Sequence, residues 1–188
     1  MNKNPSNSQF SQEETMSDFF GRVTGDQDPI KKLASHIPGF SGYIERENRR
    51  AADKLMRDTV ARRFDELYKR LSALQTELIS QGGLEFMDDI EKAALQIRTF
   101  TDKIRNATYG YSGLLDAVKI NEAELAKIYA FDAAFFDMAE QIKNAMDTVE
   151  ASLGAPEGLP AAIRNLVTLS RQAVTTYEQR YEIFNGSK

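Results

Sequence analysis

From Ile44 to about Ser80 the chain runs without a glycine or a proline, and most of its residues are strong helix formers. This predicts one continuous helix of roughly 55 Å at 1.5 Å per residue. Its second half carries Val60, Phe64, Leu67, Leu71, Leu74 and Leu78, spaced four, three, four, three and four. That spacing is a heptad-like seam, which needs partner helices to cover it. Gln81-Gly82-Gly83 then supplies a C-terminal cap and a tight turn.

Three more segments have the same character. A second helix is expected from about Leu84 to Thr108, with a seam at Met87, Ile90, Ala94, Ile97, Thr101, Ile104 and Thr108, before TYGYSG at 108–113 breaks it. Asn121 and Glu124 form an arrangement close to a capping box. They open a third helix running to Leu153, with a seam at Leu125, Ile128, Asp132, Phe135, Ala139, Ile142, Met146, Val149 and Leu153. Gly154 and Pro156 stop it. A fourth starts near Pro160 and carries Ile163, Leu166, Ser170, Ala173, Tyr177, Tyr181 and Phe184, ending at Gly186. No stretch alternates with period two, so no sheet is expected. The fold predicted is all-α: an antiparallel up-down four-helix bundle with a long first helix.

An extra short helix precedes these four. Asp28-Pro29 reads as an N-cap with proline at the first helical position, opening a helix through Lys31, Leu33 and Ser35 that Pro38-Gly39 ends. IPGFSGY at 37–43 packs large apolar residues around a proline and two glycines, which suits a structured turn. Residues 1–15 are rich in Asn, Ser, Gln and Glu and are read as a mobile tail. Met16, Phe19 and Phe20 form a small apolar anchor. Residues 16–188 are read as a single helical-bundle domain.

The 188 residues include no cysteine and one histidine, His36. Disulfides, thiolate metal sites, iron–sulfur clusters and cysteine nucleophiles are thereby excluded. A di-metal carboxylate centre in a bundle needs Glu-x-x-His motifs, and none occurs. There is no Walker A loop, G-x-G-x-x-G or G-x-S-x-G. The expectation is therefore a protein that is not an enzyme and holds no cofactor or metal, with His36 a helix-end or turn residue. Both signs of charge are mixed along the chain and the net charge is −4, which argues against bulk binding to nucleic acid or an anionic membrane. No run of about 18 to 20 apolar residues is present, so no membrane span is expected, and the polar N-terminus lacks a signal peptide's apolar core. Cytoplasm is the expected location.

Charge is unevenly spread. Residues 44–70 hold nine basic and six acidic side chains, net +3, whereas 121–158 hold two basic and eight acidic, net −6. The first and third long helices should attract each other, each exposed pair adding only about 0 to 1 kcal/mol. The first long helix also outlasts the second, which is used up at a level near Arg57. Residues 44–56 should then overhang by roughly 20 Å. The N-terminal 40 residues and the loop 109–120 are expected to cover them.

Two features on this frame are candidate sites. Arg46, Arg50, Lys54 and Arg57 form one basic stripe along the overhang, with Tyr109 and Tyr111 of the nearby loop as further candidate binding residues. The stripe reads either as a contact for a phosphate, an acidic peptide or a lipid headgroup, or as a solvated helix face neutralised by Glu45, Glu47, Asp53 and Asp58. The second is favoured, because mixed-charge faces are routine and no aromatics are interleaved. Asp132 is a charge on an apolar seam, where it must be paired. Antiparallel register puts it level with Arg98, Tyr68 and Tyr181, predicting a buried polar network rather than a catalytic carboxylate, since no second acid shares its seam.

IPGFSGYIERENRRAADKLMRD at 37–58, YGYSGLLDAVK at 109–119 and LAKIYAFDAAF at 125–135 together resemble a family of uncharacterised prokaryotic all-helical proteins. Its mark is an I-P-G-aromatic-x-G-Y turn followed by R-x-x-R-R-x-A-D. The resemblance covers most of the chain from residue 28 onward and implies a self-standing helical domain of bacterial or archaeal origin. It carries over no activity and no site residue. The functional expectation is an interaction or scaffold module with a protein partner at the end formed by 28–57 and 109–120. The alternative is a small-ligand or anionic headgroup-binding protein using the same end, with Arg46, Arg50 and Tyr111 as contacts. Heptad seams also permit a homodimer.

Overall fold

The computed structural model describes residues 29–40, 42, 49–107, 122–154 and 157–186. Among them are α1 (Pro29–His36), α2 (Arg49–Ser80), a 3-10 turn (Leu84–Phe86), α3 (Met87–Asn106), α4 (Glu122–Ser152) and α5 (Leu159–Gly186), with no strand. The tail 1–15, the anchor around Phe19, the start of the expected first long helix at 44–48 and the loop 109–120 lie outside the described residues.

The seams fold as their spacing dictates. Val60, Phe64, Leu67, Leu71, Leu74 and Leu78 of α2 are all buried, as are Ile90, Ile97, Thr101 and Ile104 of α3. On α4 the buried seam runs from Ile128 to Val149, and on α5 from Ile163 to Tyr177. Midway along, Phe100 of α3 meets one aromatic from each of the other long helices. The Phe100 ring lies 4.1 Å from that of Phe64, 5.2 Å from Phe135 and 6.3 Å from Tyr177, centroid to centroid. Such pairs add about 0.5 to 1.5 kcal/mol each beyond the area they bury.

The turn after α2 shows why two glycines stand there. Gly83 N–H donates to Leu78 O at 2.8 Å and Gly82 N–H to Ile79 O at 3.1 Å, with Gly82 at φ 84°. This is a Schellman cap, which needs a left-handed residue at its first position and satisfies two orphan carbonyls.

The four long helices alternate in direction along the chain. Arg70 pairs with Asp147 and Glu150, while Asp53 shares Arg180 with Asp132. Equal travel along α2 and α4 therefore joins the two levels, and these helices are parallel neighbours. Around the ring the order is α2, α3, α5, α4, and the consecutive helices α3 and α4 make almost no close contact. The predicted attraction between the first and third long helices has a physical carrier in Arg70, whose hydrogen bond to Glu150 raises the guanidinium pKa above its ordinary value.

The second helix does end near Arg57, where Arg57 Nη1 reaches the carbonyls of Ile104 and Arg105. The rest of α2 is nevertheless flanked. Asp53 is level with Asp132, ten residues into α4, so α4 continues beside α2 to its start. The expectation that only the N-terminal segment and the loop could cover the overhang is thus corrected, because α4 is longer than α3.

α1 lies against α4. Leu33 and Ile37 are fully buried, Lys32 Nζ sits 2.6 Å from both carboxylate oxygens of Asp137, and Phe40 meets Tyr129 edge-on at 6.4 Å. With α1 on one side and the bundle on the other, every residue from Ile128 to Phe136 is buried, which explains why α4 is apolar almost all round there. Gly42, at φ 83°, seats the turn against this helix, since a Cβ there would lie 2.8 Å from the Tyr129 hydroxyl oxygen.

Candidate functional site

A charged layer fills the interior where α3 runs out. Asp132 and Arg180 are both fully buried, and Arg180 Nε donates to Asp132 Oδ1 at 2.7 Å. The same guanidinium reaches back with Nη2 to Asp53 Oδ1 at 3.3 Å. Asp53 accepts from Arg57 Nε at 2.7 Å, and Arg57 Nη1 points to the carbonyl oxygens of Arg105 at 3.3 Å and Ile104 at 3.5 Å. Two carboxylates and two guanidiniums from α2, α4 and α5 therefore cancel formally. Their shared hydrogen bonds pair each buried charge with one of opposite sign. The outer helix carbonyls, which have no partner in their own helix, complete the chain.

Asp132 was expected to be buried in a polar network and is, but its partners are corrected. Arg98 is exposed, Tyr68 is half-buried and Tyr181 is 43% exposed. Tyr181 has the expected height but the wrong face, because one residue turns a helix by 100° and Arg180 takes the interior position. Tyr68 lies fifteen residues from Asp53, roughly 22 Å down the helix axis. That error follows from taking α3 as the top of the bundle.

The basic stripe divides in the same way. Arg50 and Lys54 are exposed, but Arg57 is only 4% exposed and belongs to the interior layer, so its reading as a surface contact is corrected. Asp53, expected to neutralise the stripe from outside, is buried with it. Arg46, Tyr109 and Tyr111 lie outside the described residues.

His36 ends α1, as expected, and stacks on Phe136 with centroids 4.7 Å apart and planes 2° from parallel. Two half-open grooves of about 460 and 500 Å³ meet at it. One runs between α2 and α4 past Arg63, Leu67 and Phe136, and the other runs toward Pro38, Leu55 and Arg62. Burial holds the imidazole pKa below its ordinary 6.5, with Arg63 and Lys32 acting in the same direction and Asp137 and Glu140 against it. A neutral ring on an apolar floor, rimmed by charge, is the arrangement that results. Among the described residues no three His, Cys, Asp or Glu side chains stand close enough together to hold a metal ion. No described helix is long and apolar enough to cross a membrane.

Fold and site together define an all-α helical bundle with a charge-compensated interior layer at one end and a histidine groove beside it. Comparison of the chain with family models, curated proteins and solved structures finds no match.

Proposed function

We propose that this chain is a non-enzymatic interaction or scaffold module of the cytoplasm, whose protein partner docks at the end built from residues 28–57 and 109–120. One observation carries the reading. Over a single stretch of α2, Asp53 and Arg57 are locked into the buried charge layer while Arg50 and Lys54 stand exposed. A basic pair displayed from a pinned backbone loses little ordering entropy on docking, which favours specific recognition of an acidic protein surface. Arg46, Tyr109 and Tyr111 extend the proposed surface. The test is crosslinking and capture from native extract with the full chain and with Arg50→Glu/Lys54→Glu. The expected result is a partner lost in the variant at unchanged melting temperature; equal capture by both proteins would refute the reading.

The two grooves at His36 favour a second reading, in which the protein takes a small ligand or an anionic headgroup, here along the α2–α4 wall beside α1 and not at the contacts Arg46, Arg50 and Tyr111. Concavities of this size are within the range that holds small molecules.

A further inference from the structure

We infer that the paired grooves at His36 form a binding site for a small amphipathic anion, a carboxylate or phosphate carried on an apolar body, held by Arg62 and Arg63 with its body against Phe136, Leu55 and Pro38. This rests on the second reading above and names its ligand class.

The argument is one of unequal pairing. Two of the three acids that line the grooves are held by lysines, Asp137 by Lys32 at 2.6 Å and Glu140 by Lys143 at 2.7 Å, and the third, Glu66, is an exposed rim residue. Arg70, farther along the same wall, is held by both Asp147 and Glu150. The two arginines at the junction differ. Arg63 comes no closer than 3.9 Å to Glu66, and among the described residues Arg62 donates only to the Thr59 hydroxyl, at 3.4 Å. Among the described residues neither guanidinium has a carboxylate at hydrogen-bond distance. Such a fork matches the two oxygens of a carboxylate or phosphate.

The floor between them is apolar. Ile37 is fully buried, Phe136 carries the stacked imidazole, and Leu55, Leu67 and Pro38 close the sides. A bare inorganic anion would use the arginines and waste the floor, whereas a neutral apolar molecule would do the reverse. His36 stands where the two parts meet. It faces Arg62, Arg63 and Lys32 among cations and Glu66, Asp137 and Glu140 among anions. Adding a negative charge beside Arg63 offsets the cation that disfavours imidazolium, so the bound anion should raise the His36 pKa. By reciprocity the anion should bind more tightly as pH falls through that value.

Because His36 is the sole histidine, its ring resonances need no assignment. Titrating the full chain with octanoate, octyl phosphate and neutral octanamide, followed by NMR of that ring, tests the site. Octanoate or octyl phosphate should raise the His36 pKa and bind more than about tenfold tighter than octanamide, a difference of about 1.4 kcal/mol. The tighter of the two anions tells whether carboxylate or phosphate is the natural group. Arg62→Glu/Arg63→Glu should abolish that preference at unchanged melting temperature. Equal affinity for octanamide and octanoate would overturn the anion assignment while leaving a ligand site in place. Absence of binding by all three probes would overturn both.

Discussion

Replacing Asp132 with leucine leaves two arginines and one acid in a layer whose members are all buried. Arg180, fully buried, would lose its 2.7 Å bond to Asp132 and share Asp53, at 3.3 Å, with Arg57, which holds that carboxylate at 2.7 Å. Breaking a buried pair by removing one partner costs about 3 to 5 kcal/mol. For a chain of this size that corresponds to a fall in melting temperature of roughly 6 to 20 °C. Arg180→Met should cost about as much, because it takes the 2.7 Å guanidinium bond away from a fully buried Asp132. Making both changes removes one acid and one base together and leaves the Asp53–Arg57 pair intact. The double variant should return to within about 1 kcal/mol of the parent, since an apolar pair of similar volume replaces the ions without leaving a lone charge. Urea unfolding of all four proteins by far-ultraviolet circular dichroism completes the cycle, and the expected coupling is at least about 3 kcal/mol. Losses that simply add in the double variant, or a single variant as stable as the parent, would refute the reasoning.

Other perturbations probe separate parts of the fold. Phe100→Ala removes the ring that joins Phe64, Phe135 and Tyr177 and should cost about 3 to 5 kcal/mol in the same urea assay, a loss under about 1 kcal/mol counting against that aromatic layer. Gly42→Ala combines a left-handed backbone with a 2.8 Å approach to Tyr129, so a loss of about 1 to 3 kcal/mol is expected, partly relieved by adding Tyr129→Phe. No relief would mean that backbone strain alone accounts for the loss. His36 is depressed in the folded state, so between its folded pKa and 6.5 the unfolded chain binds the proton and the native one does not. Stability contributed by the neutral ring is thus full above 6.5 and declines as pH falls below it. His36→Phe, which keeps a ring on Phe136, should flatten that part of the profile; an unchanged slope would assign it to carboxylates instead.

How much of this was legible in the sequence is clearest at the charged layer. The seam of α2, carried backward from Leu78 by alternating steps of four and three, passes through Val60 to Arg57 and then Asp53. On α5, steps of three and four from Ile163 pass through Tyr177 to Arg180, not to Tyr181. Asp132 already lies on the seam of α4. All four members of the layer therefore occupy seam positions, but a search for apolar residues stops at the first charge and prefers a tyrosine one place along. The helical period is a property of the backbone and continues through any residue type. Phe100 escaped for another reason: α3 is flanked by both α2 and α5, so its buried stripe is wider than a single seam.

The heights of the helices and their order around the ring were less accessible, since spacing within a helix says nothing about how helices are staggered or which of them are neighbours. One consequence of height explains why charge is there at all. α3 ends at Asn106 while α2, α4 and α5 continue, so its last carbonyls face inward at the level of Arg57. An apolar seam residue at 57 would leave those acceptors without a donor from α2, whereas an arginine satisfies them and then requires an acid. Asp53, one turn back, is that acid, and its other oxygen is near enough to Arg180 to share charge with α5. Arg180 in turn requires Asp132. The network thus follows link by link from the end of one short helix inside a bundle of longer ones.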